Sequence, residues 1–233
     1  MGVRRGVGGA GMAMRPWWAI LTALAMGLAL LAALGGDARA RPVPRPLDYH
    51  AMVLNGRVVG SAFMIAEAVG VTNAHVLRGR RVGDKITLVP SDPSRDPVLA
   101  RIRAISARMD VAVLDLPPDL LPLVPAVGSV AAGERVVSAG IDAGGPAWPG
   151  APREAAGVVL DPRASIEVFG PGLILRMPEA RPGFSGGPLL DAQGRLIGMV
   201  TAIRDGEAAS AREAYALRVA EVRAEVGRLL AGR

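Results

Sequence analysis

Between Ala51 and Leu217 short apolar stretches recur every eight to twelve residues or so, each bounded by turn-forming residues, the spacing of an all-β sandwich or barrel. They read as strands at Ala51–Leu54, Val58–Ile65, Lys85–Val89, Val98–Ile105, Val111–Leu116, Arg135–Ala139, Gly157–Leu160, Leu173–Met177, Leu196–Ala202 and Glu213–Leu217. Asn55-Gly56 between the first two is a hairpin-turn signal. The 30 glycines and 19 prolines suit tight turns better than long helices. With aromatics at 3% and hydrophobic residues at 51%, the core must be built from aliphatic side chains. Pro117–Pro125 reads as a crossover between two halves, and only the end looks helical. There Val219, Val222, Val226, Leu229 and Leu230 form one apolar stripe at three- and four-residue steps, suited to packing on the body of the fold.

The first forty residues follow a different plan. Arg4, Arg5 and Arg15 precede an apolar run from Trp17 to Leu34, and Ala38-Arg39-Ala40 offers small residues where a signal peptidase reads. Residues 1–40 are therefore expected to be a secretory signal cleaved after Ala40, placing the mature chain in the periplasm or outside the cell. The alternative is an uncleaved anchor, since the run is close to the ~20 residues that span a bilayer; the chain then contacts membrane through this segment alone and still faces outside the cytoplasm. Half of the net charge of +6 lies in this leader, so the rest is only mildly basic. It has no basic stripe interleaved with aromatics, which argues against nucleic acid as a partner. The absence of cysteine excludes disulfides, a thiolate nucleophile and cysteine-bound zinc, and two histidines are too few for a histidine-rich metal site. No cofactor and no metal are expected.

Three segments carry chemistry. In Gly183-Phe184-Ser185-Gly186-Gly187-Pro188 a serine stands among glycines that let the backbone turn tightly. A serine hydroxyl needs a base to take its proton and donors to hold the oxyanion that its attack creates; the Gly183 and Ser185 amides are the donors expected. In Gly70–Leu77 a histidine, His75, stands at the end of an apolar strand, where it can lean into a cleft. The other histidine, His50, lies in the lead segment without a comparable setting. In Asp110–Leu116 an acid at the mouth of an apolar strand needs a partner, which a histidine N–H supplies. Asp115, the rival, lies inside the strand and is expected to face solvent.

Read in order, TNAHVL, DVAVLDL and GFSGGPL resemble the three motif blocks of trypsin-like serine proteases, nearest the bacterial HtrA/Deg branch, and GSAFMI and GMVTAI are similar to further strands of that branch. The resemblance runs from about Val53 to the terminal helix. It implies an all-β, chymotrypsin-like fold of two six-stranded antiparallel barrels with a short C-terminal helix. The protease domain would span 41–233, with the first barrel at about 43–125, the second at 126–205, and the final strand and helix at 206–233. It further implies a serine endopeptidase acting on polypeptides through His75, Asp110 and Ser185, with Thr201 supporting the aspartate. By the same likeness Thr201–Ile203 and Glu179–Pro182 would wall the specificity pocket. Ile203 would narrow it toward small or medium apolar residues, whereas Glu179 would favour a basic one. Two features depart from the pattern. Phe184 replaces the acid that in digestive relatives pairs with a new N-terminus, so that mode of activation is not expected. No PDZ domain follows the helix, so PDZ-mediated docking is not expected either. A catalytically weak relative that binds peptides in the same cleft is the competing reading.

Overall fold

The computed structural model describes Gly2, Val43 and residues 45–124, 127–144, 148–206 and 208–232. The leader and its proposed cleavage site lie outside the described residues. Residues 43–233 form one compact unit containing twelve strands: β1 Ala51–Asn55, β2 Val58–Ala66, β3 Val69–Thr72, β4 Lys85–Pro90, β5 Val98–Ile105, β6 Ala112–Asp115, β7 Arg135–Ile141, β8 Pro152–Ile166, β9 Gly170–Arg176, β10 Pro188–Asp191, β11 Leu196–Arg204 and β12 Glu213–Arg218. Among the described residues one α-helix, α1, covers Val219–Ala231. The strands close into two six-stranded barrels, ordered β1-β2-β3-β6-β5-β4 and β10-β11-β12-β9-β8-β7, with every strand-to-strand pairing antiparallel. This is the chymotrypsin-like architecture.

Local sequence explains most of the elements. The expected β1–β2 hairpin is present, with its loop one residue later than the Asn-Gly signal places it: Asn55 pairs with Val58, and the two-residue loop is Gly56-Arg57 with Gly56 at φ +61°. β4 shows the alternation of buried and exposed residues of a sheet with one face on the core. Two strands escaped the sequence reading as separate elements. β3 appeared only as the run leading to His75, and β10 was missed; each is four residues long and buried throughout, so neither offers a two-residue period. β8 is much longer than Gly157–Leu160. Its ends carry Pro152, Arg153, Glu154, Asp161 and Pro162, and its pairing with β9 shifts register between Val159 and Asp161 and again before Ala164. Bulged, exposed backbone of this kind hides a strand from hydrophobic patterning.

Each barrel has its own aliphatic interior, Val53, Met64, Leu88, Ile102 and Leu114 in the first and Leu173, Leu175, Met177, Leu189 and Val200 in the second. A third cluster lies between them, joining Phe63, Val71 and Val113 from the first barrel to Leu190, Met199 and Leu217 from the second. The helix seals this seam with the predicted stripe: Val219, Val222 and Val226 are buried in the cluster, with Leu229 and Leu230 packed against it. Glu225 reaches across from the helix to the hydroxyl of Ser106, just past β5. β12 belongs to the second barrel, which therefore runs to Arg218 rather than ending near residue 205.

Candidate active site

The cleft between the barrels, about 670 Å³ in volume, is lined by His75 and Asp110 from one side and by Gly183, Ser185, Thr201 and Ile203 from the other. These are the residues singled out in the sequence, gathered from four separate stretches of chain. His75 stands three residues beyond the strand end: β3 stops at Thr72, and His75 lies in a short 3-10 helix, Ala74–Leu77. Asp110 precedes β6 and holds this turn with both carboxylate oxygens. The His75 backbone N–H donates to Oδ1 at 2.9 Å, and Nδ1 of its ring lies 2.6 Å from Oδ2. The carboxylate so fixes the ring's orientation and makes Nδ1 the protonated nitrogen, leaving Nε2 as the ring's free base. Asp115 faces outward and pairs with Arg103 at 3.4 Å.

Ser185 sits on a backbone turn that only glycine permits. Gly183 has φ +106°, and an added Cβ would collide with the carbonyl of Ile141. Gly186 has φ +89°, and its Cβ would strike the carbonyl of Ser61 on β2. The Ser185 hydroxyl donates to the Thr201 carbonyl at 3.0 Å. Among the described residues the Gly183 and Ser185 amides donate to no backbone carbonyl. The Pro182 carbonyl, in contrast, accepts from Ala143 N–H at 3.0 Å. Because C=O and N–H of a trans peptide point in opposite directions, that bond turns the Gly183 N–H away from Ala143.

Thr201 departs from the role that the resemblance implies. Its hydroxyl donates to the Met199 carbonyl at 3.2 Å and accepts from Asn73 Nδ2 at 3.1 Å; the same amide donates to the Asp110 backbone carbonyl at 2.7 Å. Thr201 thus reaches Asp110 through Asn73 and not by a direct bond to the carboxylate. The Asn73 side chain is a positioning group that the sequence reading quoted in its motif without assigning a role. Glu179 is also corrected. It lies outside the cleft lining, its carboxylate facing Arg153 at 3.6 Å and Arg181 at 3.5 Å, so it supplies no negative charge to the pocket wall. Pro182, Thr201, Ala202 and Ile203 do line it, together with Val168 and Phe169 from the β8–β9 turn.

Phe184 resolves the question of the missing acid. Its side chain is fully buried in the second barrel's core and packs against Gly140, where an added Cβ would overlap the ring. The glycine-rich turn around Ser185 is therefore pinned from beneath by an apolar anchor, in place of an ion pair. His50 was also underestimated: it is completely buried, and its pKa is pushed down to about 3 by loss of hydration.

Comparison with known proteins agrees with this architecture. None of the curated proteins matches the chain in sequence. Among solved structures, the active form of the Rv3671c protease from M. tuberculosis superposes with a TM-score of 0.62 at 25% identity, covering 77% of this chain and 79% of that one. A serine endoprotease from Yersinia pestis gives 0.64 at 19% identity, covering 81% and 65%. The HtrA-type protease AlgW with a tripeptide gives 0.65 at 20% identity, covering 78% and 60%. The model of the trypsin-like peptidase domain matches residues 60–199, a span that begins within β2 and includes His75, Asp110 and Ser185. That match takes in most of the two barrels, and on it the chain belongs to the trypsin-like peptidase family and is a serine endopeptidase.

Proposed function

We propose that this endopeptidase is exported and cuts polypeptides through an acyl-enzyme formed on Ser185, with His75 as general base and Asp110 as its orienting partner. The observation that carries the reading is the 2.6 Å His75–Asp110 bond opening onto the cleft that also holds the Ser185 hydroxyl. Attack would begin with rotation of that hydroxyl from the Thr201 carbonyl toward Nε2 of His75. β11 favours this. On one edge it pairs with β12 as far as Arg204, whereas its pairing with β10 ends at Met199. An extended peptide added to the open edge would bring its own N–H to the Thr201 carbonyl and free the serine hydroxyl for the base. As Oγ bonds to the peptide carbonyl carbon, its proton passes to His75 and the carbonyl oxygen becomes an oxyanion facing the Gly183 and Ser185 amides. His75 then protonates the leaving amine, and a water activated by the same ring hydrolyses the ester.

Two further points support the substrate and the address. HtrA-type AlgW has been captured with a tripeptide and with a decapeptide, in keeping with extended peptide as the ligand class. The Arg-flanked apolar leader ending in Ala38-Arg39-Ala40 supports export. A fluorophosphonate probe tests the chemistry: wild type should label, and Ser185→Ala and His75→Ala should not. Equal absence of label in three folded samples would overturn the proposal. N-terminal sequencing of the exported protein should begin at Arg41; an intact Met1 would instead identify an anchor.

A further inference from the structure

Behind the oxyanion loop, on the side away from the cleft, lies a buried chain of polar groups that the reaction itself does not use. His50 and Ser61 are both completely buried. Nδ1 of His50 lies 2.6 Å from Ser91 Oγ, and Nε2 lies 2.8 Å from Ser61 Oγ. Ser61 Oγ in turn donates to the Gly183 carbonyl at 2.7 Å. The direction of every bond follows from that last one. A carbonyl only accepts, so the single hydroxyl proton of Ser61 is committed to Gly183. Ser61 Oγ must then accept from His50, which places the ring proton on Nε2. Nδ1 of the neutral ring is left as an acceptor, and the Ser91 hydroxyl donates to it. A neutral imidazole satisfies the whole chain, which suits a ring held uncharged by burial.

Ser61 grips the loop at a second point, its backbone N–H donating to the Ser185 carbonyl at 2.8 Å. One residue of β2 therefore holds the carbonyls of both proposed oxyanion-hole residues. Its own carbonyl is fixed by the Thr72 hydroxyl at 2.7 Å. The Gly183 carbonyl also accepts from Ile141 N–H, at 3.3 Å. Gly183 needs such restraint, because glycine at φ +106° has no Cβ to limit its rotation.

We infer that His50 and Ser61 are positioning residues for catalysis: the Ser91–His50–Ser61 relay clamps the Gly183 carbonyl, and with the Ser61 N–H on the Ser185 carbonyl it fixes the peptide planes that flank the two oxyanion-hole amides. The inference rests on the proposed acyl-transfer role of Ser185. It concerns residues that touch no substrate and act only through the loop. His50→Leu and Ser61→Ala remove the hydrogen bonds, whereas His50→Gln keeps an N–H donor near the position of Nε2.

The test measures fluorophosphonate labelling of the full chain, separated into the limiting rate and the probe's dissociation constant. It is combined with the ¹H–¹⁵N resonance of the Gly183 amide. Ser61→Ala and His50→Leu should lower the limiting rate by about 10²-fold, the effect of misplacing catalytic groups by about an ångström, with little change in the dissociation constant. His50→Gln should recover most of that loss, and the Gly183 resonance should shift or split in the two disabling variants. A folded Ser61→Ala with an unchanged Gly183 resonance overturns the inference, as does a His50→Gln no better than His50→Leu. Failure of wild type to label overturns the hydrolytic reading separately, and the Gly183 resonance then still decides whether the clamp exists.

Discussion

At the residue scale, the loop that carries Ser185 is held by unlike forces at neighbouring positions. Phe184 anchors it through apolar burial, and the carbonyls on either side of Phe184 are held by Ser61. Phe184→Ala should cost about 3–5 kcal/mol of stability by leaving a cavity, measurable by denaturant unfolding. Phe184→Asp should be worse, because it places a carboxylate at a fully buried position within an apolar cluster. Asp110→Asn addresses the other half of the cleft. An amide presents to Nδ1 a group that can donate as well as accept, which allows the wrong tautomer of His75. The turnover rate should fall by about 10³–10⁴-fold with KM little changed, read from hydrolysis of labelled casein. That His75, Asp110 and Ser185, the residues proposed for catalysis, would line one cleft was legible in the sequence because each sits in a motif whose glycines or apolar run imposes its setting. His50 and Ser61 were not. Nothing adjacent to His50 in the chain marks it as buried, and its partners Ser61 and Ser91 come from β2 and from the turn after β4.

At the scale of elements, the C-terminal helix joins parts that the strands alone leave separate. Glu225 is almost fully buried and bonded to Arg228 at 2.9 Å on its own helix and to Ser106 beyond β5. The Arg228 guanidinium, helped by the Ser106 hydroxyl and opposed by burial, holds the Glu225 carboxyl down at about 2. Glu225→Gln should destabilise the protein by about 1–3 kcal/mol, the cost of weakening charge-assisted bonds to buried groups. The labelling rate of the folded fraction should stay unchanged, since the helix lies outside the cleft lining. Ten of the twelve strands were visible in the sequence because alternation or apolar runs bounded by glycine and proline mark them. β10 was not, being a short, fully buried stretch directly after the GFSGGP turn. The helix showed its buried stripe plainly, whereas the Glu225–Ser106 contact, 119 residues apart in the chain, has no local signature.

At the scale of the whole molecule, two buried groups, His50 and Glu225, contribute to the response to acid. His50 has its pKa depressed in the fold, so the unfolded chain binds a proton more readily once the pH falls below about 6.5. Stability is therefore fully present above that pH and is lost progressively as the pH falls toward about 3, by about 1.4 kcal/mol per pH unit at the steepest. Glu225 adds a lower window. Its stabilisation is present above the ordinary glutamate value of 4.5 and is lost as the pH falls toward about 2. Melting temperatures recorded from pH 7 to pH 4 should fall for the wild type and fall less for His50→Gln, which has no ring to protonate. An equal slope in both would remove His50 from the account.

The grip of Ser61 on the far barrel has one more consequence. The hydroxyl and the N–H that hold the nucleophile's loop belong to β2, while the loop itself is carried by strands that emerge from synthesis much later. On the proposed role of Ser185, neither barrel by itself supplies all the groups of the centre, so that docking of the two is a precondition for cutting and completion of the tertiary structure serves as its own safety catch.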